Sequence, residues 1–290
     1  MTEVLLQTDD AVVIRYAILD PVGASALGPA RERGSACSLV RIADAGAVRS
    51  FVESFELADM EGCTAPAPPG FDPQLLADVG EPAIMRDLRL VRVTVRPRGE
   101  DWGHPGLVAS SVVVRIETTA EPGRNERSRR RVVRSPHFER LYEEFVVNYE
   151  ASQTHFASAP DNAYQEATAR AAAPLEGSRY VVIALDHAVD ALDPLLELKE
   201  SKGLHPEVVL MSDLEWTAEG IKTYLQTAYD TWDVTPEFVL LAGDEEVPPS
   251  PVYTYTDNYF AMLEGDDYLA DVLLGRLPAD NSEQLATMVA

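Results

Sequence analysis

Between Asp244 and Asp271 the chain carries eight acids, Asp244, Glu245, Glu246, Asp257, Glu264, Asp266, Asp267 and Asp271, and no Lys, Arg or His. Carboxylates brought together without a cation repel, so they either splay into water or gather a positive partner. Hard oxygen ligands on loops bent by Gly and Pro suit Ca²⁺ better than softer metals. A solvated acidic loop is the alternative reading. Arg276, just downstream, is a candidate to pair with one of these acids or to touch a substrate. His187 stands beside Asp186 and could act as a general base, or could simply cap a strand–helix junction. A thiol nucleophile needs an imidazole base, yet both cysteines, Cys37 and Cys63, lie in the first third of the chain. The sequence has no G-x-S-x-G, P-loop, G-x-G-x-x-G or H-E-x-x-H pattern.

The elements that must position these residues are legible from periodicity. Arg179–Asp186, Glu207–Met211, Phe238–Leu241 and Asp271–Leu274 are short apolar runs, as in strands buried on both faces. Between them, Asp193-Pro194 opens a helix that Gly203 closes, and Thr217–Trp232 sets Ile221, Tyr224, Leu225, Ala228 and Trp232 on one stripe. Strands alternating with helices imply an α/β domain with a mostly parallel sheet. In such sheets sites form at the carboxyl ends of the strands, which here means Asp186-His187, Met211-Ser212-Asp213 and Gly243-Asp244-Glu245-Glu246. The upstream half alternates with period two. Val91, Val93 and Val95 oppose Arg92, Thr94 and Arg96, and Val112, Val114 and Ile116 oppose Val113, Arg115 and Glu117. With Glu3–Leu6 and Ala11–Ile18 as further strands, this half reads as an all-β, sandwich-like domain. The arginine-rich stretch Arg124–Arg134 is either a solvated hairpin tip or a processing site.

The expected organisation is a β-rich domain over residues 1–150, an Ala-rich linker over 151–178 with partial helix at 162–172, and an α/β domain over 179–290. A charge step accompanies the boundary: residues 1–176 carry 19 basic and 26 acidic side chains, residues 177–290 carry 5 and 22. The net charge of −24 argues against nucleic acid and anionic membrane surfaces as partners. No run is long enough to span a bilayer, and the N-terminus, with acids at Glu3, Asp9 and Asp10, lacks the basic region of a signal peptide. Two cysteines do not make a disulfide framework; one loop disulfide and two free thiols are both open.

The segment TDNYFAMLEGDDYLADVLLGRLPA, Thr256–Ala279, following a strand that ends in Gly243-Asp244 and a Pro/Tyr-rich loop, resembles the catalytic domain of gingipain-type (family C25) cysteine peptidases. Gly80-Glu81-Pro82-Ala83 with Arg86-Asp87, and Ser135–Tyr142 with Asn148-Tyr149, resemble the pro-region of that family. The resemblance implies a caspase-like three-layer domain of which this chain holds the first part, with the pro-domain packing on it. It implies peptide-bond hydrolysis by a Cys/His pair located beyond Ala290, protein or peptide substrates, and no catalytic residue within the chain itself, which is then inactive alone. It also implies structural calcium, with Asp244, Asp257, Asp266, Asp267 and Asp271 at the matching acidic positions. Members of the family are commonly secreted or cell-surface proteins. Two other readings stand beside it: a non-catalytic calcium-binding interaction module derived from the family, and a flavodoxin-like ligand-binding domain, for which Asp186-His187-Ala188 is a poor phosphate loop.

Overall fold

The computed structural model describes residues 1–18, 36–127, 134–150, 175–244 and 257–290. The expected linker, its 162–172 helix, the middle of the arginine-rich stretch, and Glu245 and Glu246 lie wholly or largely outside the described residues. The chain divides into two compact units. The first comprises residues 1–83, 88–128 and 138–158; the second comprises 84–87, 129–137 and 159–290.

In the first unit, strands β1 (Thr2–Gln7), β2 (Ala11–Ala17), β3 (Ala36–Arg41), β4 (Val48–Asp59), β5 (Thr64–Ala65), β6 (Ala77–Val79), β8 (Leu88–Val95) and β9 (Leu107–Thr118) form two sheets, and β7 (Ala83–Met85) pairs with β8. One sheet runs β1-β2-β9-β4-β5 and the other β3-β8-β6. Their shared core takes Val12, Ile14 and Tyr16 from β2, Val112, Val114 and Ile116 from β9, Val40 from β3, and Val91, Val93 and Val95 from β8. The alternating valines of the sequence are thus the inward faces of a two-sheet core. The all-β expectation is corrected by helix α1 (Pro136–Phe145). Proline at its first turn suits the missing donor there, and Phe138 and Tyr142, four residues apart, are buried on one stripe. Asn148 is fully buried. Its Oδ1 accepts from the Arg41 backbone N–H at 2.8 Å, and its Nδ2 donates to the Arg41 carbonyl at 2.9 Å. Cys37 and Cys63 are free, exposed thiols.

The second unit is built on four parallel strands, β10 (Tyr180–Ala184), β11 (Glu207–Leu210), β12 (Phe238–Ala242) and β13 (Leu273–Leu277), in the order β11-β10-β12-β13. Helices α2 (Asp193–Ser201), α3 (Ala218–Thr231), α4 (Asn258–Ala261) and α5 (Ser282–Val289) accompany them. Val181, Val182, Ile183 and Ala184 are fully buried, which accounts for the unbroken apolar run. The fourth strand begins at Leu273, two residues later than the sequence suggests; Asp271 precedes it because its carboxylate is occupied in the turn before the strand. Helix α3 starts where the side chain of Thr217 accepts from the Gly220 N–H at 2.9 Å, and it buries Ile221, Leu225, Ala228 and Tyr229.

Gly220 also lets the first turn of α3 close on the preceding turn: a Cβ there would stand 2.0 Å from the Leu214 carbonyl oxygen. In an open helix Gly→Ala gains about 1 kcal/mol. Gly220→Ala is expected instead to cost about 1–3 kcal/mol through overpacking, read as a lowered denaturation midpoint at unchanged slope.

Candidate functional site

The strand order places β11 and β12 on opposite sides of β10, so the chain reverses direction of growth between β10 and β12. That switch point opens a crevice at the carboxyl ends of open α/β sheets. The carboxyl ends at that point carry Asp186-His187 after β10 and Gly243-Asp244 after β12. Asp186 accepts the Ser212 backbone N–H at 3.2 Å, and hydrogen bonding from Ser212 holds its carboxyl below the usual range. His187 is exposed; its carbonyl accepts from Ser282 Oγ at 2.9 Å at the start of α5. Gly243, at φ +150°, turns the chain out of β12 in a conformation that favours glycine.

Arg276 binds this edge together. Its Nε and Nη2 donate to the two carboxylate oxygens of Asp257, each at 2.8 Å, a bidentate fork. Its Nη1 donates to the carbonyls of Gly243 at 2.8 Å and Asp244 at 3.1 Å. The guanidinium therefore ties the exit of β12 to the entry of α4. Of the two roles open to Arg276 in the sequence, the structure gives it the pairing with an acid.

At the opposite, amino edge lies a second arginine centre that the sequence does not reveal. Arg86, only 1% exposed, donates from Nη1 to the carbonyls of Pro236 at 2.5 Å and Asp271 at 3.0 Å, and from Nη2 to the Thr235 carbonyl at 3.2 Å. Its backbone N–H donates to Asp271 Oδ1 at 2.7 Å. The other oxygen of Asp271 accepts the N–H groups of Leu263 and Glu264, both at 2.7 Å. Asp267 accepts from the Ile84 N–H at 2.8 Å and from the Leu269 N–H at 2.9 Å. Helix α3 fixes the loop presenting these donors, with Lys222 Nζ donating to the carbonyls of Tyr259 and Met262, Gln226 to Leu263, and the Tyr229 hydroxyl to Glu264. Next to this lies another buried carboxylate, Glu237, which meets His137 Nδ1 at 2.8 Å and Arg179 Nε at 3.4 Å.

The five acids expected as metal ligands are thus separated by their duties. Asp271 is wholly buried and holds three backbone donors; Asp257 spends both oxygens on Arg276; Asp244 borders the carboxyl edge; Asp266 is exposed; Asp267 braces Ile84. Among the described residues no three or more His, Cys, Asp or Glu side chains are gathered so as to hold a metal ion. The five do not fit a single calcium cage, because three of them, Asp257, Asp267 and Asp271, already serve the chain's own donors.

Residues 173–290 match the model of Peptidase family C25. The chain is 25% identical over 224 residues to gingipain R2 of Porphyromonas gingivalis strain W83, a match covering 76% of this chain and 28% of that protein. The chain accordingly spans little more than a quarter of the length of that relative. Among solved structures it is similar to the complex of P. gingivalis RgpB pro- and mature domains, at 19% identity and a TM-score of 0.36, covering 52% of this chain and 97% of that one. It is also similar to the Arg specific cysteine proteinase gingipain R, at 24% identity and a TM-score of 0.36, covering 40% of this chain and 29% of that one.

Burial pushes the Asp271 carboxyl up from 3.8 to about 7, against the three backbone donors that pull it down. Between those values the folded chain holds a proton that the unfolded chain releases, so this group's contribution is most favourable below about pH 4 and is lost as pH rises through about 7. Asp271→Asn cannot accept on its amide nitrogen and is expected to cost about 1–3 kcal/mol. Because the variant does not titrate there, its deficit against the parent should shrink as urea denaturation is repeated from pH 4 to pH 8. A deficit constant across that range would contradict the assignment.

Proposed function

We propose, from the match of residues 173–290 to the model of Peptidase family C25, that this chain is the N-terminal portion of a gingipain-like cysteine endopeptidase. In the whole protein a thiolate adds to the peptide carbonyl, an imidazolium gives its proton to the leaving amine, and water then cleaves the thioester. The chain from 1 to 290 supplies the pro-region and the first strands of the catalytic sheet, and the Cys/His pair lies beyond Ala290. The observation that carries this is the joint one of the family match and a 224-residue alignment too long to fit within residues 173–290, so that it extends into the N-terminal half. We assign residues 1–150 the part of a pro-domain that assists folding and packs over the active site, and the second unit the part of a caspase-like half-domain. The outer edge of β13 favours this reading. It is the last strand of the sheet in the order described, and a groove of about 390 Å³ lined by Ala261, Ala270, Val272 and Leu274 runs beside it. A strand edge of this kind is a ready template for further strands.

The resemblance extends to enzymes selective for Arg or Lys, and the acidic second unit is compatible with basic peptide substrates through electrostatic steering. The chain 1–290 is expected to show no turnover of Arg or Lys peptide substrates, whereas the longer gene product is expected to cleave them and to lose activity on thiol alkylation. Turnover by the purified 1–290 chain that alkylation abolishes would point to Cys37 or Cys63 and overturn the proposal.

Calcium enters the proposal in narrowed form. Asp257, Asp267 and Asp271 are set aside, leaving Asp244 at the carboxyl edge and Asp266 at the amino edge as separate candidate oxygen ligands for a structural ion, and no catalytic step runs through it. Thermal unfolding in calcium against excess chelator is expected to show a higher Tm with calcium, by mass action, and Asp244→Asn to reduce the difference. Equal melting temperatures would remove calcium from the account.

A further inference from the structure

We propose that Thr235, Pro236, Asp267 and Asp271 form a recognition slot for a peptide turn bearing arginine, and that its resident ligand is Ile84–Asp87 of this same chain. The proposal does not depend on the peptidase reading. The tetrapeptide is far in sequence from the rest of the second unit, yet it belongs to that unit. It is held as a bound peptide is held. Two of its backbone N–H groups, at Ile84 and Arg86, donate to the carboxylates of Asp267 and Asp271 at 2.8 and 2.7 Å. The strand β7 ends at Met85 and Arg86-Asp87 turn the chain, so the two carboxylates hold the strand end and the turn of one peptide tip. The arginine side chain supplies the selectivity. Three carbonyls, those of Thr235, Pro236 and Asp271, converge on its guanidinium. A planar fork meets acceptors spread around its two terminal nitrogens, whereas a lysine ammonium offers its three donors from a single point.

The slot is also built, not incidental. Arg86 is 1% exposed, Asp271 0% and Thr235 4%, so the acceptors are out of water. Arg86 adopts φ +51°, a conformation uncommon for a residue other than glycine, which is maintained only where surrounding contacts over-determine it. Emptying the slot would leave a buried carboxylate and three carbonyls short of donors.

The test uses the full chain with a specific protease site placed within residues 151–174, so that one cut puts Ile84–Asp87 and the slot on separate polypeptides. The folded protein is cut and passed over a sizing column under native conditions. The parent fragments are expected to travel together, and those of Arg86→Met to separate. Arg86→Lys keeps the charge but not the fork; its fragments are expected to dissociate at least tenfold faster than the parent's after dilution. Should Arg86→Met fail to fold before cutting, the Arg86→Lys rate decides. Parent fragments that separate, or Arg86→Lys fragments that dissociate at the parent rate, would overturn the proposal.

Discussion

A guanidinium and a carboxylate removed from water must each find fixed partners, because an unpaired buried charge costs several kcal/mol. Arg86 and Asp271 meet that demand at the amino end of the second unit's sheet. The arginine satisfies the carbonyls that lead into β12 and the one that leads into β13, while the carboxylate collects N–H groups from Arg86, Leu263 and Glu264. Three stretches distant in sequence are thereby fixed to one point. The parallel register of β12 and β13, from Phe238 opposite Leu273 to Ala242 opposite Leu277, starts from there.

The carboxyl end of the same strand pair has its own arginine. Arg276 lies within β13, and its fork reaches across the exit of β12 to Asp257. The two arginines work differently. Arg86 is buried and answers three carbonyls, with Asp87 Oδ2 3.6 Å from its Nε. Arg276 is less buried and forms a bidentate ion pair. Between them the strands are apolar and need no polar partner other than each other, so the strand pair is pinned at both ends and packed in the middle. The carboxyl ends of β10 and β12, with Asp186, His187 and Asp244, are carried by this frame.

Much of the frame is legible in the sequence, because burial on both faces leaves a local signature. YVVIA and FVLLA are strands for that reason, and Thr217 three residues before Gly220 announces the start of α3. What escapes is what depends on distant partners. Asp271 beside an apolar run reads as the start of a strand; only the N–H groups of Leu263 and Glu264 and of Arg86, 185 residues away, make it a buried acceptor. Glu237 is equally opaque, since nothing local marks it as buried against His137 and Arg179. The acidic stretch suggests a shared cation because composition counts charges without directions, whereas the fold turns Asp257, Asp267 and Asp271 toward different donors. Helix α1 is obscured by its setting: Pro136 and the Phe138–Tyr142 spacing are helical signals, but they follow a run of strands and an arginine-rich stretch that suggest more β structure.

The central claim is that Asp271, with Arg86, holds the amino end of the β12–β13 pair. Native-state hydrogen exchange at the amides of Arg86, Leu263 and Glu264 tests it most directly. The account predicts that all three exchange slowly, near the rate set by global unfolding, and that Asp271→Asn accelerates the three together while amides within β10 stay protected. Fast exchange of these amides in the parent protein, or acceleration of only one of them in the variant, would contradict it.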